Sequence, residues 1–427
     1  MNPRGKSIVI ILVVAVFVAA AILLVSYWSN TAPVVPDNGV VHDPDLINDL
    51  DIDPQSVDEV VTSNNRFAFD LYSLYRKHPD NIFYSPYSLL AALAMTYEGA
   101  RGQTAEEMAR VFYLPEDEVR WSGLAGFYNA INQPDREYVL DTANALWPAQ
   151  DYHFLDDYFE VIERYYRGKI EPLDYVTDPE GSRLTINNWV EEQTRDKIKN
   201  LIPAGFIDPL TRLVLTNAIY FKGQWLTEFD PDLTRNELFY VDEDKEIEVP
   251  MMRRTDEEAV FDYARLDDVQ ILSLPYKGEE VAMTIILPDR GQLEAVEASL
   301  SLEQLNYYRS ALNRQRVDVY LPRFKMDTKY IMNDDLSDLG MPSAFSSQAD
   351  FSGLTGARDL YISAVIHQAF VEVNEEGTEA AAATGVVMQE LAIMDLPVFR
   401  ADRPFIFLIE HLETGAILFM GRVVDLS

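Results

Sequence analysis

"EEGTEAAAATG", residues 375–385, is the stretch on which the reading of this chain turns. Its middle, residues 379–383, is made of strong helix formers, Ala ranking best and Glu close behind. A glycine stands on either side, at Gly377 and Gly385. Just upstream, in "AVIHQAFVEV", Val365, His367, Ala369, Val371 and Val373 recur at period two, the spacing of one strand face. Downstream comes the longer, looser "VVMQELAIMDLPVFRAD". A strand therefore runs into a tract of the smallest side chains in the chain. Taken without its surroundings, that tract reads as a flexible loop or a stray helical turn.

Bulk properties narrow the field. The 427 residues carry 35 Lys and Arg against 70 Asp and Glu, a formal charge of −35. Such acidity repels nucleic acid and anionic membrane surfaces, so neither is an expected partner. The small basic clusters "MMRR" and "RSALNRQR" read as solvated faces. With 48% hydrophobic residues the chain can bury a large core. Cysteine is absent, which removes disulfides, thiol catalysis and lipidated-cysteine anchoring together. Catalytic signatures are missing too: there is no G-x-S-x-G elbow, no H-E-x-x-H and no phosphate-cradling G-x-x-x-x-G-K. No metal or cofactor is expected. Asp49, Asp51 and Asp53 alternate as in a calcium loop but lack its glycine and distal glutamate, so they read as a solvated linker. His367 lies on an apolar strand face and reads as a satisfied core histidine.

Arg4 and Lys6 precede residues 8–25, eighteen apolar residues closed by Ser26, Tyr27 and Trp28. That pattern predicts a membrane anchor or signal sequence over residues 1–28. No convincing small-x-small cleavage site follows, which favours an uncleaved anchor. The remainder is then extracytoplasmic, membrane-anchored by the N-terminal helix, or secreted if that segment is cleaved. Residues 29–57, rich in Pro, Asp and Asn, predict an acidic tether, and residues 58–427 a single large domain.

Within that domain "NNRFAFDLYSLYRK" is an amphipathic helix. "SPYSLLAALAMTYEGA" is an apolar one, opened by Ser85-Pro86 and closed near Gly99. "TAEEMARVF" follows with Thr104 and Glu107 at capping-box spacing, then "HFLDDYFEVIERYYRG" and "RLTINNWVEEQTRDKIKNLI". Strand-like runs dominate the later half, among them "LVLTNAIYF", "VQILSLPY", "FIFLIEH" and "AILFMGRVV". The order predicts an α+β domain with sizeable sheets.

Several blocks together closely resemble one family. "NIFYSPYSLLAALAMTYEGARGQT", "LTNAIYFKGQWLTEF", "VPMM", "LPRFKMD", "ADFSGL", "VNEEGTEAAAATG" and "FRADRPFIFLIEHLETGAILFMGRVV" resemble, in order, the blocks of the serpins, the large serine-protease inhibitors. The resemblance implies three β-sheets, about nine helices and an exposed reactive-centre loop near residues 374–401. It also implies an inhibitor rather than an enzyme: a monomer that forms a covalent acyl complex with a target serine protease. After cleavage the loop inserts into the main sheet as a new middle strand.

Inserted strands alternate their side chains. One set, Thr378, Ala380, Ala382, Thr384, Val386 and Met388, would then face inward, and the other, with Glu379 and Gln389, outward. The implied hinge is Glu375, Gly377, Thr378, Glu379, Ala380, Ala381, Ala382 and Ala383. In the family the reactive bond typically lies seventeen residues along from the hinge glutamate, counted inclusively, so the resemblance implies Leu391–Ala392 here, with Glu390–Leu391 and Ala392–Ile393 left open. Leucine there favours chymotrypsin-, subtilisin- or elastase-like targets over trypsin-like ones. Ser85, Ser88, Asn217 and His367 match the family's "shutter" beneath the main sheet, and Trp225 the tryptophan at its top. The alternative is a non-inhibitory serpin-like binding or chaperone-like protein. Bulky, charged or proline residues at the inward hinge positions would point to it, and this chain has none.

Overall fold

Long apolar runs in the later half of the chain, such as Val281–Pro288, Phe405–His411 and Ala416–Val423, become strands buried on both faces, and with more exposed strands they build three sheets. The computed structural model describes residues 50–133, 136–378 and 396–427. A six-stranded sheet has the order β12 (Phe324–Ile331), β13 (Ala364–Asn374), β14 (Gly377–Thr378), β4 (Leu213–Gln224), β2 (Tyr138–Pro148) and β3 (Lys169–Ile170). A seven-stranded sheet runs β1 (Ile82–Tyr84), β17 (Ala416–Val423), β16 (Phe405–His411), β9 (Val281–Pro288), β8 (Val269–Pro275), β7 (Val260–Arg265) and β10 (Asn313–Arg316). The third, four-stranded, runs β15 (Val398–Arg400), β11 (Asp318–Pro322), β6 (Glu246–Arg254) and β5 (Arg235–Tyr240). Ten α-helices lie among the described residues, the shortest being the single turn Ser352–Thr355.

The helix Pro86–Glu98 lies between two of the sheets and touches β17, β2 and β4. Its start follows from sequence: the Ser85 side chain caps the Ser88 N–H and Pro86 supplies the preset first turn. Nearly every one of its residues is buried, as expected for a helix with apolar groups all round.

The six-stranded sheet separates two hydrophobic clusters. Val365, Ala369, Val371 and Val373 of β13 join the main core. Ala364, Ile366 and Phe370 face a smaller core with Ile186 and Val190 of the helix Pro179–Gln193. The period-two reading of "AVIHQAFVEV" therefore identified one real face, but the other face is buried as well. β12, at the sheet's edge, is different: Phe324 and Met326 are buried while Lys325 and Asp327 point outward, charges that discourage further strand pairing.

Three expectations need correction. The first helix begins at Pro54, inside the stretch assigned to the tether, because Asp53 accepts the Gln55 N–H at 3.2 Å and Pro54 opens the turn. The helix holding "TAEEMARVF" starts at Gly102 without a capping box. Tertiary partners take those side chains: Thr104 Oγ1 accepts the Asp350 N–H at 3.0 Å, and Glu107 accepts from the backbone and hydroxyl of Ser343. The helix containing "RLTINNWVEEQ" stops at Gln193, because Arg195 and Asp196 take left-handed backbone angles.

Candidate functional site

In the lower part of the six-stranded sheet β13 and β4 pair directly and in parallel, residues 364–370 against 214–220. Higher up they part. β13 turns back on itself at residues 374–377, and β14 enters between its neighbours, antiparallel to both. Thr378 pairs with Val373 on one side and Gly223 on the other; Gly377 pairs with Asn374 and Gln224. The sheet thus already holds the first two residues of an extra strand, with a closed seam beneath them.

Gly377 is required by geometry. Its φ is +153°, and a Cβ there would lie 2.1 Å from the Gly223 carbonyl oxygen and 2.7 Å from Gln224 Cα. Thr378 is fully buried, and its hydroxyl is hydrogen-bonded to the Tyr276 hydroxyl at 2.7 Å.

Each carbonyl of the turn has a donor on the segment that follows β4. Trp225 Nε1 donates to Asn374 O at 3.0 Å, the Phe229 N–H to Glu375 O at 2.8 Å, and the Trp225 N–H to Glu376 O at 2.8 Å. The Trp225 ring stacks on Tyr276 with centroids 4.5 Å apart. The Glu375 carboxylate is bound by Arg323, Nη2 at 2.5 Å and Nε at 2.7 Å, and by the Thr234 hydroxyl. The buried Glu376 Oε2 has no hydrogen-bond partner. Burial, followed by the charges of Glu228 and Glu375, holds its carboxyl above the usual range.

Below the parting point lies a buried polar cluster. The Ser85 N–H donates to His367 Nε2 at 3.1 Å, so Nε2 is the acceptor and the ring proton sits on Nδ1, which donates to Asn217 Oδ1. The Asn217 amide donates in turn to Ser88 Oγ and Asn144 Oδ1, both at 2.6 Å. Ser88 Oγ also donates to Asn144 Oδ1 at 3.0 Å, and Ser85 Oγ donates to Leu418 O at 2.6 Å. Burial pushes the His367 pKa down to about 3, keeping the ring neutral. One cluster therefore ties β13, β4, β2, β17 and the helix Pro86–Glu98 together.

Asn144 belongs to this cluster and escaped the sequence reading, as did Tyr276 and Arg323. For Asn144 a signal existed: it is an amide inside the apolar run "YVLDTANALW", and it pairs in register with Asn217. Leu391, Ala392, Glu379 and Ala380 to Ala383 lie outside the described residues, as does the N-terminal segment 1–49.

Where description resumes, Val398–Arg400 pairs in parallel with β11 at the edge of the four-stranded sheet. The Arg400 guanidinium lies 3.7 Å from the Tyr320 ring centroid, with Arg253 at 5.7 Å from the same ring. The Glu237 carboxylate binds both arginines.

A family model described as Serpin (serine protease inhibitor) matches residues 62–426. The chain belongs to the serpin family. Among relatives, a serpin-like protein of Thermococcus kodakarensis is 43% identical over 86% of this chain and 85% of its own. The leukocyte elastase inhibitor of Bos taurus is 40% identical over 86% and 99%. Among solved structures, human thyroxine-binding globulin complexed with its hormone superposes with a TM-score of 0.79 at 31% identity, covering 87% of this chain and 100% of that one. Uncleaved ovalbumin gives 0.77 at 32%, covering 86% and 99%. The three-sheet architecture is the serpin fold, and the protein is an inhibitor or binding protein rather than an enzyme.

Proposed function

We propose that this serpin is an irreversible, suicide-substrate inhibitor of serine proteases of the chymotrypsin, subtilisin or elastase type. The observation that carries this reading is the parted sheet, with Gly377–Thr378 seated above a closed seam. Continuing that strand downward replaces one parallel pairing, 364–370 against 214–220, by two antiparallel ladders. Antiparallel pairing is somewhat the more stable per residue, and twice as many edges are satisfied. An uncut loop is held at both ends and is kept from this gain, so the native state stores free energy. Hinge side chains small enough to enter a sheet buried on both faces suit the same purpose.

In the proposed reaction the protease serine Oγ attacks the Leu391 carbonyl carbon. The Leu391–Ala392 C–N bond breaks, the new Ala392 amine takes the proton, and Leu391 remains as an ester on the protease. Insertion then competes with attack of water on that ester. Trp225, with its two donors on the hinge turn, gates the top of the sheet, and the Ser85–Ser88–Asn217–His367 cluster, with Asn144, gates the seam.

The apolar residues 8–25 favour an anchor or signal over residues 1–28 and a tether after it, holding the serpin domain outside the cytoplasm. No helix among the described residues is long and apolar enough to cross a membrane. The binding-protein alternative is kept by the thyroxine-binding relative.

Chymotrypsin separates the two readings. Inhibition gives an SDS-stable adduct near the summed mass and releases a C-terminal fragment starting at Ala392. Clean cleavage without adduct supports a binding protein.

A further inference from the structure

The turn that seats the first two residues of the extra strand carries two acidic side chains with opposite surroundings. Glu375 is matched: Arg323 binds its carboxylate with Nη2 at 2.5 Å and Nε at 2.7 Å, and the Thr234 hydroxyl joins them. Glu376, one residue on, is not. It is 8% exposed, and its Oε2 is a buried oxygen that no donor reaches. Its backbone, by contrast, is engaged at both ends: the N–H donates to Asn374 Oδ1 at 3.1 Å, and the carbonyl accepts the Trp225 N–H at 2.8 Å. Gly377 and Thr378 follow directly, so this side chain stands at the pivot on which the strand start enters the sheet.

The elements around the turn bring charge to it. Glu375 is its neighbour on the turn itself, and Glu228 stands on the segment after β4. Lys222, near the end of β4, and Lys277, between β8 and β9, act against these two. Lys277 is already committed to Glu228 at 3.1 Å and to Gln224 Oε1 at 3.2 Å, as Arg323 is to Glu375. Glu376 also borders a cavity of about 610 Å³ whose wall carries Glu372, Asp425, Arg323 and Lys325. An ionised Glu376 therefore gives up the hydration of one oxygen, gains no donor for it, and meets two like charges. The neutral acid avoids both costs.

We propose that Glu376 is a proton-operated latch on the hinge: its neutral form seats Gly377–Thr378 in the six-stranded sheet, and its ionised form loosens them. The direction follows from linkage. Seated, the carboxyl titrates above its ordinary value of 4.5, chiefly through burial and then through Glu228 and Glu375; released into water, it returns to that value. Protonation therefore favours seating. The proton's contribution is fully present below the ordinary value and is lost as pH rises through the raised one. Because the extra strand begins at this seat, the same proton favours the first step of insertion. The seating claim stands on the turn alone; its consequence for trapping a protease rests on the inhibitory reading.

The test follows the full, uncut chain by hydrogen exchange between pH 5 and pH 8, corrected for the intrinsic rate at each pH. The Trp225 and Phe229 amides, bonded to the carbonyls of Glu376 and Glu375, report the seat. Their protection should fall at least about fivefold from pH 5 to pH 8 in the parent. Glu376→Gln, a neutral side chain of the same shape, should keep the acid level of protection throughout and melt no lower than the parent at pH 8. Glu228→Gln removes one like charge and should move the fall to lower pH. A flat profile in the parent, the same fall in Glu376→Gln, or a fall that Glu228→Gln leaves in place would overturn the latch. Where the protein forms adduct, Glu376→Gln at pH 8 should consume no more inhibitor per protease inactivated than the parent does; a higher consumption would overturn the link to insertion. Absence of adduct from parent and variant alike would sink the inhibitory reading and leave the exchange results standing.

Discussion

Thr378 and Val398, on the two sides of residues 379–395, sit in different sheets and are held by different forces. Thr378 has a strand on either side of it, a buried hydroxyl partner in Tyr276, and a preceding turn whose three carbonyls are all satisfied. β15 has a neighbour on one side only, a short parallel pairing, and relies on side chains: Arg400 on Tyr320, with Glu237 joining it to Arg253. The first end is embedded where a strand can lengthen by displacing one seam. The second is clamped at an edge, where lengthening leads nowhere. On the proposed mechanism only the first end lengthens within a sheet, and cleavage frees it to do so.

The largest expected break of this contrast is Thr378→Arg. It forces a cation into a fully buried position, where an unpaired charge costs several kcal/mol. The charge should expel Gly377–Thr378 from the sheet of the uncut protein, and if about 3 kcal/mol of the cost of re-entry then appears in the insertion barrier, insertion slows roughly a hundredfold. The variant should still be cut at the same bond yet trap little protease, while Glu379→Arg, outward by the alternation, should trap it as the parent does. Inhibitor consumed per protease inactivated measures this, and equal values for the two variants would refute period-two insertion.

His367 gives the next effect, in the seam itself. Its pKa is about 3 in the fold against an ordinary value near 6.5, so the unfolded chain takes up a proton first as pH falls. The stability due to neutral His367 is fully present above pH 6.5 and declines from there towards pH 3. Between pH 6.5 and 5 the loss is about 2 kcal/mol. Denaturant unfolding of His367→Gln should lack this part of the slope; an identical slope would show that His367 is not its source.

Tyr320→Leu probes the other end. Losing the ring between two guanidiniums should weaken the β15 anchor by about 1 to 2 kcal/mol. Exchange of the Phe399 and Ala401 amides, the latter bonded to the Tyr320 carbonyl, should quicken about tenfold, and uncut protein should lose inhibitory capacity faster on storage. Unchanged exchange would mean that backbone pairing alone holds β15.

Much of this contrast was legible in sequence. The burial of Thr378 agrees with the inward parity that the serpin resemblance, joined to strand alternation, implied for it. Ser85-Pro86 announced its helix because capping is local chemistry. What escaped depends on contacts between distant residues: Arg323 reaches Glu375 across a strand pair, Tyr276 meets Thr378 from another sheet, and Asn144 joins its cluster only through the β2–β4 register. The burial of both faces of β13 was hidden for the same reason, since a helix far upstream covers the second face.

The most direct test of insertion is the thermal midpoint before and after a single verified cut near Leu391. If the freed strand fills the seam, the cut protein should melt about 10 °C or more above the intact one, since each kcal/mol gained moves the midpoint of a domain this large by roughly 1 °C or more. Equal midpoints would contradict the account.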